Sequence, residues 1–284
     1  MTVDVEDYFH VSAFAKSIDQ SDWGKYQLRV ENNTHRLMDL FDEYQVKATF
    51  FVLGWVAERT PELVKEIAAR SHEVACHGYS HQLIYNQTPQ VFREETLRSK
   101  HLLEDLVQAP IRGYRAASYS ITNKSRWALD ILVEAGFVYD SSIFPVRHDR
   151  YGIPDALDIP HRLETPERHS LVEFPLSTAK LFSYRLPVAG GGYFRLYPYS
   201  LTRAGLSQIN RRQNPFIFYL HPWEIDPDQP RIDASWFSRF RHYNNLDKCE
   251  PRLRNLMRDF QFGTVWDVLS VLGLTDTSDS TKQP

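Results

Sequence analysis

Short apolar segments alternate with amphipathic helices along the first half of the chain, and this alternation restricts the fold more than any other feature. Strands are predicted around Thr2, Val3 and Val5 and over Ala48–Gly54, Glu73–Cys76, Gly113–Arg115 and Phe137–Asp140. Helices are predicted over Glu31–Tyr44 with Asn33 or Thr34 as cap, after Thr60 and Pro61, after Thr88 and Pro89, and over Lys124–Ala135, which Gly136 ends. Such alternation is typical of a parallel sheet or barrel.

The second half of the chain has a looser pattern. Between Phe144 and Pro198 we expect loops and a few antiparallel strands, of which Leu171–Phe174 is the clearest. Gly190–Gly192 is either a flexible turn or backbone that lies close to an extended ligand. The later predicted elements are a helix over Leu201–Ile209, an apolar strand over Phe216–His221, and helices over Trp236–Tyr243 and Pro251–Leu269. Because no linker divides the chain, we expect one domain over residues 1–274 and a polar, disordered tail over 275–284.

The composition excludes several classes of protein. The chain has 284 residues with 33 basic and 36 acidic side chains, so it lacks the basic surface that nucleic-acid binding requires. Its two cysteines, Cys76 and Cys249, are too few for a disulfide framework or a cysteine zinc site. No apolar run is long enough to cross a membrane. An acidic strand follows Met1 at once without a signal peptide, which predicts a cytoplasmic protein if Met1 is the natural start.

Chemically useful side chains stand where the predicted strands end. Asp4 and Glu6 belong to the first strand, His77 follows the third, Arg115 ends the fourth and Asp140 ends the fifth. In barrel enzymes the carboxyl ends of the strands carry the chemistry. We therefore expect the site at this end of the sheet.

The first strand carries three carboxylates, Asp4, Glu6 and Asp7, within four positions. Residues two apart in a strand share a face, so Asp4 and Glu6 point to one side, with Asp7 near the other side or in the turn beyond. Like charges this close are unfavourable unless a cation, an arginine or a shared proton compensates them. Without such a partner the segment would be a solvated acidic loop, the usual environment of Asp and Glu.

His77 and His81, four residues apart, are the second informative pair. Two histidines at this spacing can bind one metal ion if the backbone between them turns, and Gly78 permits a sharp turn. A lone pair at this spacing is often accidental. With Glu6, however, the pair makes two imidazoles and one carboxylate, a three-ligand set that catalytic zinc sites use with positions left open for water and substrate. A metal ion would also supply the positive charge that the acidic strand needs.

At these residues the chain resembles the NodB-type polysaccharide deacetylases of carbohydrate esterase family four. The first family motif usually reads Thr-Phe-Asp-Asp, whose first Asp is the catalytic base and whose second Asp binds the metal. Here Thr2–Asp7 is similar to the Asp-x-Asp or Asp-x-Glu versions, which implies Asp4 as base and Glu6 as ligand, with Asp7 as the alternative ligand. The two histidines of the second motif match His77 and His81.

The other three family motifs follow in order. Arg115 matches the arginine of the third motif, although the Pro-Pro-Tyr that usually follows it is absent. Tyr139–Ser142 looks like the fourth motif, and His221 at the end of Phe218–His221 matches the fifth. Two further segments, Gly190–Arg195 and His221–Glu224, look like a subgroup found with bacterial exopolysaccharide and exosortase loci.

The resemblance also implies roles for these residues. Arg115 would pair with Asp4 and hold it ionised, and His221 would be the general acid. A backbone N–H near Ala117 or Ser118 would hold the oxyanion. Asp140 would be either a helper at the site or a cap at the end of its strand.

The implied fold is α/β, a distorted (β/α) barrel of the NodB-homology type with an added loop-rich and β-rich segment and C-terminal helices. The implied function is a metal-dependent hydrolase that removes N-acetyl groups from N-acetylhexosamine units of a bacterial exopolysaccharide or its precursor. Its partner would be an N-acetylated polysaccharide or oligosaccharide, and its cofactor a divalent metal ion, with zinc favoured and cobalt or other ions compatible. Two alternatives are a small-amide (allantoinase-like) C–N hydrolase and a catalytically silent glycan-binding protein of the same fold.

Overall fold

The computed structural model describes residues 1–148, 150–182 and 184–275, so residues 276–284 of the predicted tail lie outside the described residues. Its strands are β1 (Thr2–Val5), β2 (Thr49–Val52), β3 (Glu73–Cys76), β4 (Gly113–Tyr114), β5 (Tyr139–Asp140), β6 (His161–Glu164), β7 (Ser170–Glu173), β8 (Thr178–Leu181), β9 (Tyr184–Pro187) and β10 (Tyr219–Leu220). Its helices are α1 (Val30–Glu43), α2 (Gly54–Arg59), α3 (Pro61–Ala69), α4 (Pro89–Val107), α5 (Trp127–Glu134), α6 (Gly191–Leu196), α7 (Tyr199–Asn210), α8 (Trp236–Tyr243), α9 (Cys249–Asp259) and α10 (Val265–Val271).

Eight strands form one curled sheet in the order β10-β1-β2-β3-β4-β5-β7-β6. All neighbours from β10 to β7 run parallel, and β6 pairs antiparallel with β7 at the edge. The strand at the start of the chain is inserted centrally, with Thr2 opposite both Thr49 and Tyr219. Strands β8 and β9 form a separate hairpin, within the segment predicted to be loop-rich and β-rich. The predicted α/β class and distorted barrel are confirmed, since the sheet curls into a half-barrel.

Alternation along the buried strands places two apolar layers on opposite faces of this sheet. On β2, Phe50 packs in the layer beneath the outer helices, whereas Phe51 packs in the layer on the concave face. On β3, Cys76 and Ala75 divide between the two layers in the same way. Strands buried on both faces read as continuous apolar runs, which is why these segments stand out in the sequence.

The amino ends of the strands are closed by α10. Its first residue, Val265, donates its backbone N–H to Oγ1 of Thr49 at 2.7 Å, and Trp266 donates to a carboxylate oxygen of Glu73 at 3.0 Å. Val265 and Leu269 complete the apolar layer on the concave face. With one end closed in this way, the carboxyl ends of the strands are left to form the open cleft.

Several predicted helix boundaries differ from the structure. The helix predicted over Pro251–Leu269 is two helices, because Thr264 begins a new one by accepting the backbone N–H of Asp267 at 3.1 Å. Neither Asn33 nor Thr34 caps α1, since both are buried inside the helix. Helices α2 and α6, each of six residues, were not predicted. Within the described residues, no helix combines the length and apolarity needed to span a membrane.

Gly190 lies against β10, and the helix that begins at Gly191 shows that Gly190–Gly192 is not a flexible turn. Gly190 has φ of +124° and bridges to Tyr219, whose carbonyl oxygen would be 1.9 Å from an added Cβ. A side chain there is therefore excluded both by backbone conformation and by space. Gly192, two residues on, lines the cleft described below. The glycines thus let α6 start directly against the sheet.

Candidate active site

An open cleft with a volume of about 430 Å³ lies at the carboxyl ends of the strands. Asp4 on β1, His77 after β3 and His221 after β10 all line it, although they are far apart in sequence. Glu6 and His81 complete the floor of the cleft. Aromatic side chains dominate its walls: Tyr119, Tyr151, Tyr193, Tyr219, Trp223, Phe237 and Phe240.

Glu6, His77 and His81 converge on one point. One ligand atom from each lies within 4.8 Å of the others, and Glu6 and His77 are buried. Glu6 Oε2 is 2.8 Å from His81 Nε2, yet this oxygen makes no hydrogen bond. The two atoms are in contact but do not form a hydrogen bond, and one of them is a buried carboxylate oxygen. Ligand atoms in this state are suited to bind a cation. The chemistry of the three donors fits a divalent metal ion.

The backbone and tautomer of the two histidines suit this arrangement. His77 Nδ1 lies 2.8 Å from the carbonyl oxygen of Arg115, to which it donates a hydrogen bond. Nε2 is then unprotonated, and its lone pair is available to bind a metal ion. Burial lowers the pKa of His77 to about 4, so its imidazole is neutral, as a metal ligand must be. Gly78 and His81 both have positive φ, at +75° and +52°. This turn brings the two rings to 5.5 Å from each other.

Asp4 is held by a buried cation. Arg115 donates from Nη1 to Asp4 Oδ1 at 2.7 Å, and the two side chains are 0% and 2% exposed. The hydroxyl of Tyr119 approaches the other carboxylate oxygen of Asp4 at 3.4 Å. The guanidinium lies 4.0 Å from the ring centre of Phe51, so an apolar surface covers it from below. This pairing compensates the crowded negative charge of the first strand and fixes the direction of the Asp4 carboxylate.

Asp140, predicted to be either a helper at the site or a cap at the end of its strand, lies behind Arg115 and does not line the cleft. Both of its carboxylate oxygens accept hydrogen bonds from Ser142, and Ser142 in turn accepts the backbone N–H of Ala116. Ser141 accepts from the guanidinium of Arg115 at 3.0 Å. The fourth motif, Tyr139–Ser142, therefore holds the side chain of Arg115 and the backbone of Ala116 in place.

Glu173 on β7 lies beside Asp140, and the two side chains form a buried carboxyl pair. Both side chains are fully buried, and burial raises the pKa of Asp140 to about 6 and that of Glu173 well above its usual value. One oxygen of Glu173 accepts the backbone N–H of Ile143 at 3.0 Å. Burial and the charge of the neighbouring carboxyl thus oppose the ionisation of both groups together.

His221 is backed by Glu224 in a turn of its own segment. Glu224 Oε2 accepts from the backbone N–H of His221 at 3.0 Å and lies 3.1 Å from its Nδ1. The Nε2 atom of the same ring points into the cleft, 3.2 Å from Glu6 and 4.0 Å from Asp4. The histidine is thus fixed by its Nδ1 side and presents Nε2 to any substrate.

Arg195 completes this group from α6. Its Nε donates to Glu224 Oε1 at 2.7 Å, and the two side chains are 2% and 1% exposed. Its other nitrogens donate to the carbonyl oxygens of Arg241, His242 and Asn244. Burial alone would raise the pKa of Glu224, but the charges and hydrogen bonds of Arg195 and His221 together outweigh it and lower this pKa to about 2. Glu224 is therefore ionised at neutral pH.

Ala117 and Ser118 form a tight turn beside the cleft. Ser118 and Tyr119 have φ of +51° and +56°, values that cost energy for residues with side chains. Ser118 lines the cleft, whereas Ala117 is buried and does not. Of the two N–H groups predicted to hold an oxyanion, the structure thus places Ser118 at the cleft surface.

Asp7, the alternative metal ligand, is occupied elsewhere. Its Oδ2 accepts the backbone N–H groups of Arg29 and Val30 at 2.7 and 2.9 Å, and its Oδ1 accepts that of Tyr8 at 2.9 Å. The N–H groups of Arg29 and Val30 are unpaired donors at the start of α1. Asp7 therefore caps this helix, although 22 residues of sequence separate it from Arg29. The structure places Asp7 outside the ligand group and leaves Glu6 as its carboxylate.

Sequence reasoning missed Glu224, Arg195 and Glu173 as members of the site. The first two lie in the segments His221–Glu224 and Gly190–Arg195, which stand out in the sequence for their unusual composition. A glutamate three residues after a histidine is the only signal for the hydrogen bond between them. No sequence signal reveals that Arg195 and Glu224 meet, because 29 residues separate them.

Two family matches divide the chain. Residues 19–138 match the family described as polysaccharide deacetylase. Over these residues the chain matches the NodB-type polysaccharide deacetylases. Residues 141–270, which carry His221 and Arg195, match a second family described as a domain of unknown function, DUF3473. The deacetylase domain and the DUF3473 segment therefore both contribute residues to the cleft.

Two bacterial deacetylases are among the curated proteins that match part of this chain. A peptidoglycan deacetylase from Helicobacter pylori is 34% identical over 108 residues, which are 38% of this chain and 36% of the relative. A peptidoglycan-N-acetylglucosamine deacetylase from Bacillus cereus is 31% identical over 98 residues, which are 34% of this chain and 36% of the relative. The match thus spans about a third of the length of each.

Solved structures share the fold of the whole chain. The crystal structure of a candidate polysaccharide deacetylase from Mycobacterium smegmatis has a TM-score of 0.64 at 20% identity and covers 100% of this chain and 93% of that one. An allantoinase, PuuE, has a TM-score of 0.54 at 16% identity, covering 84% and 71%. At such identities the likeness concerns the fold alone, which both hydrolases share.

Proposed function

We propose that the protein is a metal-dependent N-deacetylase that removes acetyl groups from N-acetylhexosamine units of a bacterial exopolysaccharide or its precursor. One observation carries this proposal: Glu6, His77 and His81 converge on the floor of an open cleft beside Asp4. The aromatic walls support a sugar substrate, because each ring offers an apolar face to a pyranose and several present a polar edge. The cleft is open and about 430 Å³ in volume, which suits part of a polymer better than a small ureide.

Asp4 is the proposed general base. The chain positions it with one oxygen bound to Arg115 and the other directed toward the cleft and Nε2 of His221. The Arg115 hydrogen bond orients the carboxylate, so its other oxygen can take a proton from the attacking water. A divalent ion, with zinc favoured, would be bound by Glu6, His77 and His81. It would polarise the acetyl carbonyl and make the attacking water more acidic.

His221 is the proposed general acid. Amide hydrolysis forms a new C–O bond to water and breaks the C–N bond, so the departing nitrogen must receive a proton. His221 presents Nε2 to the cleft while Glu224 holds Nδ1, which orients the ring for this transfer. The N–H of Ser118 would stabilise negative charge on the acetyl oxygen during the reaction. The products are acetate and a free amine on the sugar.

The two family segments are proposed to form one catalytic domain over residues 1–274. The cleft takes His77 from the first segment and His221 from the second, and β1 pairs with both β2 and β10. Without the second segment, the edge of β1 that pairs with β10 would be exposed. A chain cut between residues 138 and 141 is expected to regain activity only when both fragments are present.

The decisive experiment measures acetate release from N-acetylglucosamine oligomers, with the ureide allantoin as an alternative substrate. We expect acetate from the oligomers, loss of release after treatment with a chelator, recovery on addition of zinc, and no turnover of the ureide. Turnover of the ureide without acetate release would favour the small-amide hydrolase. Oligomer binding without acetate release under any divalent metal would favour a silent glycan-binding protein.

A further inference from the structure

The floor and the mouth of the cleft carry opposite charges. Among the described residues that line the cleft, the carboxylates are Asp4 and Glu6, and both lie on the floor. Asp4 is paired with Arg115, and Glu6 lies among the histidines. The floor is therefore committed to the reaction, and its negative charge is compensated within the site.

Two exposed arginines line the mouth of the cleft. Arg150 stands on the loop that follows β5, and Arg241 stands on α8. Neither guanidinium has a carboxylate within 4.0 Å in the part of the chain that the structure describes. Arg195, the third arginine of the cleft, differs because its charge is neutralised by Glu224. Within the described residues, the mouth thus presents two positive charges that lack a carboxylate partner, on separate segments.

Exposed aromatic rings surround these charges on α8. Phe237 and Phe240 line the cleft although they are 60% and 43% exposed. Trp236 stacks on Phe240 with ring centres 5.5 Å apart, and the guanidinium of Arg241 lies 5.5 Å from the ring centre of Phe237. Flat apolar faces next to free guanidinium groups are suited to a ligand with apolar ring faces and a negative charge.

We propose that the mouth of the cleft binds an anionic group of the glycan, a carboxylate or a phosphate, carried close to the reacting N-acetylhexosamine. This inference rests on the proposed function only in naming the ligand as a glycan. The two arginines bind the anionic group, and the aromatic face of α8 stacks against a neighbouring sugar. The substrate class is therefore an acidic glycan instead of a neutral one.

The test is a binding titration of the full chain with three tetrasaccharides of equal length. The first alternates glucuronic acid with N-acetylglucosamine, and the second is its neutral, carboxyl-reduced counterpart. The third is an N-acetylglucosamine oligomer with a phosphate at its reducing end, which separates phosphate from carboxylate as the recognised group. The variants are Arg150→Gln, Arg241→Gln and the double variant. Matched controls are Arg147→Gln and Arg239→Gln, which change exposed arginines outside the cleft lining.

We expect one or both anionic probes to bind at least about tenfold more tightly than the neutral probe at low salt, with the preference shrinking as salt rises. Each cleft substitution should weaken anionic binding by about fivefold and leave neutral binding within about twofold. The two control substitutions should change neither. Equal affinity for all three probes, or unchanged anionic binding in the double variant, would overturn the inference.

Acetate release from the same probes separates this inference from the proposed function. If charge-selective binding depends on the two arginines but no probe loses acetate, the inference stands and the proposed function fails. If acetate is released while neutral and anionic probes bind and react equally, the proposed function stands and the inference fails.

Discussion

Replacing Glu224 by glutamine removes the central charge from a buried row of three groups, Arg195, Glu224 and His221. Arg195 and Glu224 are 2% and 1% exposed and lie 2.7 Å apart, so solvent screens their interaction little. Removing one partner of a buried pair costs about 3–5 kcal/mol, because the other charge is left without compensation. Here Arg195 keeps its bonds to three carbonyl oxygens, and glutamine keeps an acceptor oxygen. We therefore expect the lower end, about 3 kcal/mol.

The assay is urea unfolding of the wild type and Glu224→Gln at the same metal concentration, followed by circular dichroism. A loss of about 3 kcal/mol in the free energy of unfolding corresponds to a melting temperature lower by roughly 6 °C for a chain of this size. The matched control is Glu62→Gln, since this glutamate is 77% exposed and pairs with Lys65 in solvent. It should leave the unfolding midpoint unchanged.

A double-mutant cycle with Arg195→Met decides whether the lost stability reflects the unpaired charge. The double variant leaves no uncompensated guanidinium, so its cost should be smaller than the sum of the single costs by at least about 1 kcal/mol. Additive costs, or a loss below about 1 kcal/mol in Glu224→Gln, would refute the reasoning.

Metal binding, pH and backbone space offer three further tests. Glu6→Gln should abolish stoichiometric zinc binding, measured by elemental analysis, whereas Asp7→Asn should keep the metal and lose about 1 kcal/mol of stability as a weakened helix cap. Burial raises the pKa of Asp140 to about 6 and that of Glu173 well above its usual value. Protonation of these two carboxyls therefore stabilises the fold fully below about pH 4, and this stabilisation declines as the pH rises through 6. Glu173→Gln should flatten the decline in unfolding free energy. Gly190→Ala should lose more than about 2 kcal/mol, since its Cβ would meet a backbone oxygen at 1.9 Å.

Each of these predictions has a result that contradicts it. Zinc retained by Glu6→Gln but lost by Asp7→Asn would exchange the roles of the two carboxylates. Equal pH dependence in wild type and Glu173→Gln would contradict the raised pKa of the two carboxyls. For the glycine, the control is Gly263→Ala, whose added Cβ meets nothing within 4 Å; equal stability of the two alanine variants would show that Gly190 is not constrained.

Strands and helices were predictable from the sequence where the residue pattern that causes them is local. β3 was predicted with its observed bounds, and α8 likewise, since a short apolar run and a helical period are visible in neighbouring residues. The break between α9 and α10 was not predicted, although Thr264 supplies a cap that the sequence displays. The apolar positions on both sides continue one helical period, and that pattern hid the break.

Contacts between residues that lie far apart in sequence could not be predicted from the sequence. Asp7 illustrates this, because its carboxylate is equally suited to a metal ion and to the start of a helix. Only the position of α1, which begins 23 residues later, decides between them. Arg195 is similar, since nothing near it in sequence indicates that it meets Glu224 inside the protein.

The measurement that tests the central claim most directly is acetate release by Asp4→Asn at full zinc occupancy. Asparagine keeps the size of the side chain and an oxygen that can accept the Arg115 hydrogen bond, but it cannot take a proton from water. We expect intact folding, one bound zinc ion and acetate release reduced by about 100-fold to 10,000-fold, the range typical of general-base catalysis. Release at the wild-type rate by this metal-loaded variant would contradict the assignment of Asp4 as the base and the mechanism built on it.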